Sequence, residues 1–147
     1  VSKPINIALS KPATASNSHP ACPVSDINDG NPSESSRWAA SDSTLPAWVE
    51  IDLGTPTRVN TLVLSENIVP EWATARISEF ALQKWNGSAF ETVFTFQGTI
   101  GDEHIFKFDT IESEKVRILI SALRPDTSIN SAGQTDPSLT EIELYCY

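Results

Sequence analysis

At 147 residues and 39 % hydrophobic content, the chain is long enough for one domain with a buried core and too short for two comfortable ones, so residues 1–147 read as a single module. Ten Lys and Arg against 19 Asp and Glu leave a net charge of -9. That balance argues against nucleic acid, whose binders draw most of their affinity from basic surface, and disfavours anionic membranes and sulfated glycans.

The chain opens "VSKPINIALSKP" with no basic-then-apolar leader, and it contains no Met. The expectation is an excised module of a larger parent protein or a trimmed precursor. No apolar run approaches the roughly 20 residues of a membrane-spanning helix. Residues 10–46 form a long region rich in Ser, Pro, Asn and Asp. Strand signals dominate after it. "AWVEIDLG" (47–54) alternates Trp48, Glu50 and Asp52 against Val49, Ile51 and Leu53, and "RVNTLVLSEN" (58–67) repeats the period of two. "EFALQKW" and "AFETVFTF" flank Asn86-Gly87, a type I′ hairpin signal. "EHIFKFD", "EKVRILIS" and "SLTEIELYCY" follow.

At least seven short strands, ten prolines and no convincing amphipathic helix predict an all-β antiparallel β-sandwich. Loops at 65–76 and 122–138 are long enough to be functional, projecting from a rigid scaffold. Cys22 and Cys146 sit near opposite ends. A bridge between them would be worth about 4–5 kcal/mol on the chain-entropy model and would imply an oxidising compartment. Two separate thiols are equally allowed.

"SDINDGNPSESSRW" (25–38) packs Asp26, Asn28, Asp29 and Asn31 around Gly30. Clustered short oxygen side chains suit a hard cation or a solvated turn. It is no EF-hand: counted from Asp26, Gly30 falls at position five and Arg37 at twelve, where that loop needs glycine at six and an acid at twelve. Zinc is not favoured either, because the two Cys and two His lack close ligand spacing.

"NIALSKPATAS", then "DINDGN", "SRWAAS", "AWVEIDLG" and a terminal "LTEIELY", resemble in order and spacing the F5/8 type C, or discoidin-like, domains. Within these the chain is similar to carbohydrate-binding modules of families 32 and 47. It also resembles the C-terminal domains of bacterial α-L-fucosidases through "VNTLVLSENI" and "FALQKWNGSAFETV". The resemblance covers nearly the whole chain and implies a discoidin-like jelly roll of about eight main strands. It also implies a structural calcium, with side-chain ligation by Asp29 and Glu141. Backbone oxygens would come from Asp26, Asn31, Ser36 and Thr140, with the Ser36 hydroxyl as an extra ligand. A ring of carbonyls leaves no open position for substrate, so such an ion holds a loop and does no chemistry.

Sugar recognition needs an aromatic face and planar hydrogen-bonding groups. Trp48, within a strand, reads as core, and Trp38 as packing beneath the implied calcium loop; Trp85 is open to either reading. Trp72, in "ENIVPEWATAR", is the stacking candidate, with Arg76, Asn67, Glu71 and His104 as further ligand contacts. Arg76 falls near the second arginine of the fucolectin pattern. The first arginine and the histidine of that pattern have no counterparts near 68–69 and 41–43. Arg76 could equally form a surface ion pair with Glu79 or Glu71, and Glu66 and Asp42 are equally at home in solvated loops.

No catalytic constellation is visible: no nucleophile elbow, no phosphate-cradling loop, no carboxylate pair in a recognisable setting. The reading is a non-catalytic module that targets a secreted or cell-surface glycan-active parent to terminal fucose- or galactose-type sugars. A discoidin-like adhesion domain binding protein or lipid is the alternative. Lipid is disfavoured because Ile68, Val69 and Trp72 are flanked by Glu66 and Glu71 and by Arg76 as the one basic neighbour.

Overall fold

Two twenty-residue strands organise the molecule in the computed structural model, which describes residues 4–31, 33, 36–68, 75–124 and 136–147. They are β3 (Ala47–Glu66) and β6 (His104–Leu123), accompanied by β1 (Ala13–Ala15), β2 (Trp38–Ala39), β4 (Ile77–Trp85), β5 (Phe90–Gln97) and β7 (Ser138–Tyr145). All pairings are antiparallel. The only helical turn among the described residues is a 3-10 segment, Val24–Asn28.

β3 and β6 pair along almost their whole length, but their register slips between Asp52 and Thr57 and again between Val59 and Thr61. Such irregularities bend a ribbon, and here the bend passes both strands from one layer into the other. Their Ala47–Asp52 and Lys115–Ile120 halves join β1, β4 and β5, in the order β1-β3-β6-β4-β5. Their Thr61–Leu64 and His104–Lys107 halves join β7 and β2, in the order β2-β7-β3-β6. One continuous core of Val49, Ile51, Leu82 and Ile118 from the first layer and Leu62, Leu64, Ile142 and Leu144 from the second fills the space between. This is the sandwich expected from the alternation, closed by bent strands shared between layers.

Phe80, Phe94, Phe96 and Phe106 meet mostly edge to face, with ring centres 4.9–6.0 Å apart, a geometry that aromatic quadrupoles favour. Trp38 is fully buried and its indole N–H donates to Asn17 O at 3.0 Å. Trp48 departs from expectation. The period of two that buries Val49 and Ile51 turns Trp48 to the outer face, where it is half-buried beneath the Arg117 guanidinium at 4.2 Å from its ring centre. Phe90 flanks the same guanidinium at 3.9 Å, and Glu50 pairs with it at 2.9 Å.

The β4–β5 hairpin forms where Asn86-Gly87 predicts it, by a different turn. Trp85 pairs with Phe90, so four residues bridge the strands, and Gly87 alone adopts positive φ, at 103°. Asn86 Oδ1 instead accepts the amides of Ser88 and Ala89, each at 2.9 Å, so the side chain caps the turn. Cys22 is buried, Cys146 is exposed, and both are free.

Candidate functional site

The loop that follows the 3-10 turn meets β7 through a carboxylate. Gly30 adopts φ 83°, a left-handed conformation glycine takes without cost, and this aims its N–H at Glu141 Oε2, 3.0 Å away. Asp29 supports the same loop: Oδ1 accepts the Asn31 amide at 2.9 Å, and Oδ2 accepts the Ser36 hydroxyl. Glu141 is 2 % exposed, and its Oε1 is buried with no hydrogen-bond partner among the described residues. Burial, reinforced by the neighbouring Asp29 and Glu143 carboxylates and opposed by the Gly30 amide, pushes the Glu141 carboxyl up to about 8.

Two neighbouring carboxylates, one with a buried and unpartnered oxygen, make a costly arrangement. The donors, two carboxylates and a hydroxyl, are all hard oxygens, the set that Ca2+ accepts. No group of three His, Cys, Asp or Glu side chains converges among the described residues. Asp29, Ser36 and Glu141 are thus brought together from opposite ends of the chain, with Asn31 joined to them through its amide. Asp26 belongs to the adjoining 3-10 turn, and Thr140, buried beside Glu141, donates its hydroxyl to Ser65 O at 3.2 Å.

A second polar cluster holds the loops at one end of the sandwich. Glu66, expected in a solvated loop, is 2 % exposed. Its Oε2 accepts the amides of Arg76 at 2.9 Å and Ile77 at 3.2 Å, and its Oε1 accepts the Gly101 amide at 3.1 Å. Burial raises this carboxyl above its ordinary range, while the three amides pull the other way. Arg76, expected as a ligand contact or in a surface ion pair, is fully buried, with Nε donating to Asp136 O at 3.1 Å and Nη1 to Asn67 O at 3.4 Å. Burial lowers the guanidinium to about 10 against the pull of Glu66. Asn67, also predicted to touch ligand, is 1 % exposed and points inward with the rest of this cluster. Asp136 is likewise raised by burial and by Asp42, with Arg76 and His19 opposing.

Glu66 and Arg76 are struts because the end of β3, the start of β4 and the start of β7 leave backbone groups that no sheet ladder can satisfy, and Asn67 and Asp136 meet Arg76 through their backbone carbonyls. A signal existed for Glu66, since Leu62 and Leu64 face the core and Glu66 is the next residue at the same spacing. Another missed strut is Asn28, whose buried amide donates to Ala8 O at 2.7 Å and Lys11 O at 2.8 Å.

His104 opens β6 half-buried, stacked on Phe106 at 4.2 Å and 7°, with Nδ1 3.2 Å from Thr99 O. It extends the aromatic core toward the surface. Trp72 and Glu71 lie outside the described residues.

The sequence profile described as the NedA-like, galactose-binding domain matches residues 26–118. The chain belongs to that family. Its F5/8 type C character, carried in the sequence by short motifs, is thereby established. No curated protein sequence matches the chain. Among solved structures, this NedA-like domain is similar to chitosan-binding module 1 from a Paenibacillus sp. IK-5 chitosanase/glucanase. That match has 26 % identity and a TM-score of 0.76, covering 97 % of this chain and 99 % of that one. Module 2 of the same enzyme, solved with chitotriose, matches with TM-score 0.77 at 22 % identity over 96 % and 100 % of the two chains. The family 32 module of Clostridium perfringens NanJ, solved with galactose, matches with TM-score 0.77 at 18 % identity over 97 % and 98 %. The latter two speak to the fold alone.

Proposed function

We propose that this domain is a non-catalytic carbohydrate-binding module that carries a secreted, glycan-active parent to terminal galactose- or fucose-type sugars. The observation that supports this best is membership of a family described as galactose-binding, together with a match to a chitosan-binding module over nearly the whole chain. It is joined to a loop-bearing rim braced from below by Glu66, Arg76 and Asp136. A single such module binds weakly, since few contacts surround one or two sugar residues. Its use is to raise the parent's effective concentration at the glycan.

In this reading the loop before β4 supplies Trp72 as the stacking face and Glu71 as a hydroxyl acceptor, with His104 as a further polar contact. Arg76 and Asn67 act beneath the loop, and their part is to hold it. A structural calcium would sit at Asp29 and Glu141, with the Ser36 hydroxyl and backbone oxygens of Asp26, Asn31, Ser36 and Thr140 completing its shell. The unpartnered Glu141 Oε1 supports this assignment. The ion would supply positive charge to two crowded carboxylates and tie the N-terminal loop to β7, leaving sugar recognition to the rim.

The test is a glycan array on the wild-type chain and on Trp72→Ala, each with and without chelator. Binding to galactose- or fucose-terminated glycans, lost in Trp72→Ala at unchanged melting temperature, is the expected result. An array with no saccharide bound above background, by a chain shown to be folded, refutes the proposal.

A further inference from the structure

Far from the loop rim, the bend of the two long strands leaves a groove. The register of β3 and β6 slips between Asp52 and Thr57, and beside that slip the ladder of β4 with β6 ends at Lys84 and Val116. The result is a hollow of about 400 Å3 walled by Pro56, Lys84, Trp85, Glu112, Ser113 and Glu114. That volume lies within the range of small-ligand sites, roughly 300–1,000 Å3. Arg76 precedes β4 and Trp85 ends it, so the strand's rise of about 3.3 Å per residue puts the groove roughly 30 Å from the rim.

Trp85 is the feature that gives the groove a chemistry. Its amide donates to the buried Ser113 Oγ at 3.0 Å, and Ser113 in turn donates to Lys115 O at 2.5 Å, which fixes the backbone beneath the ring. Phe90 meets the indole at 5.1 Å and 60°, and the Lys115 ammonium stands 5.2 Å from its centre. The ring is therefore held in place yet the residue remains half-buried, and it lines the groove. Exposed Glu112 and Glu114 stand on the same wall, and Lys84 supplies an ammonium. The Asn86 side chain is spent on its turn and on Glu91.

A fixed indole presents a flat apolar face to C–H groups. Two ionised carboxylates accept hydrogen bonds from paired hydroxyls, and an ammonium donates to ring or hydroxyl oxygens. An anionic sugar would set its carboxylate against Glu112 and Glu114 and is disfavoured. We propose that this groove is a second saccharide site, taking one uncharged hexose unit stacked on Trp85 and hydrogen-bonded to Glu112, Glu114 and Lys84. This site stands independently of whether the loop rim binds; where the rim also binds, the module grips glycan at two ends.

The experiment is a titration of the 15N-labelled chain with galactose and glucose, and with galacturonic acid as the charged control, followed by amide and indole shifts. Concentrations should reach about 100 mM, because single-unit affinities lie near the millimolar range. The expected result is movement of the Trp85 indole and of the Gly87 and Ser113 amides with a neutral sugar, and little with galacturonic acid. Trp85→Ala should remove this set and leave any Ile68 and Arg76 shifts unchanged, its own spectrum reporting whether it is folded. The Glu114→Gln variant should weaken the Trp85 set roughly fivefold, as loss of one charged hydrogen bond implies. Shifts at Trp85 without shifts at the rim sustain the second site and sink the rim reading. Shifts confined to the rim, no shift at Trp85 with either neutral sugar, or an equal response to galacturonic acid overturn the second site.

Discussion

Chelating the calcium proposed at Asp29 and Glu141 should reverse the pH dependence of stability. Glu141 rises from an ordinary 4.5 to about 8 in the folded chain without metal. A carboxyl with a raised folded value binds more protons folded than unfolded, so its contribution favours folding at low pH and is lost as pH climbs between those two values. Each unit of difference is worth 1.36 kcal/mol, so the loss between pH 4.5 and pH 7 is on the order of 3 kcal/mol. For a chain of this size that corresponds to roughly 6–12 °C in Tm. In EDTA, melting followed by circular dichroism should therefore show Tm falling from pH 5 to pH 8. With millimolar calcium the ionised carboxylate gains its counter-charge, and the slope should flatten or turn upward, so that stabilisation by calcium is largest at pH 8. Glu141→Gln should abolish both the slope and the calcium response. A Tm in EDTA that holds steady or rises across this window, with no shift on adding calcium, refutes the assignment.

Three substitutions elsewhere have outcomes set by geometry. Glu66→Ala orphans the amides of Arg76, Ile77 and Gly101 and removes a counter-charge from a buried guanidinium; a loss of about 3–5 kcal/mol is expected in urea unfolding. Gly30→Ala forces a Cβ into a φ of 83° and to 3.1 Å from the Leu9 side chain; a loss of about 1–2 kcal/mol and a weaker calcium shift in Tm are expected. Arg117→Ala removes the cation held between Trp48 and Phe90 and paired with Glu50 on a half-exposed face, and should cost about 1–2 kcal/mol in the same assay.

The fold was legible because period-two alternation is a strong signal. In β3, Val49, Ile51 and Leu53 face the core and Glu50 and Asp52 do not, as the alternation requires, and the same alternation turns Trp48 outward against its reading as core. What alternation does not carry is the continuity of the strands. "AWVEIDLG" and "RVNTLVLSEN" look like two strands parted by Thr-Pro-Thr, and the structure runs them together through a bend. The bend coincides with a register slip against β6, a long-range pairing that the local signals Gly54 and Pro56 do not distinguish from a turn between two strands. The metal-competent group was legible only through resemblance, because Asp29 and Glu141 meet by topology. The burial of Arg76 and Asn67 was not legible for a different reason. Polar residues beside a long loop read as exposed, whereas loop backbone at the end of a sandwich needs buried polar partners.

That need explains the distribution of buried polar groups. Ser65, Glu66 and Asn67 at the end of β3, Arg76 before β4, and Asp136, Ser138, Thr140 and Glu141 in and before β7 crowd one end of an otherwise apolar core. Desolvating such groups gains little net stability over apolar packing. Its physical consequence is geometric: amides and carbonyls at the loop bases are tied to fixed side-chain partners, so the loops leave the scaffold in fixed directions. A recognition surface built on loops carries an ordering cost on binding unless the loops are pre-set. The Trp85 groove needs no such bracing, since its walls are strands and a capped four-residue turn. If both surfaces bind, the rim should therefore be the one whose affinity collapses when Glu66 is replaced, while the Trp85 shifts survive in every variant that still folds.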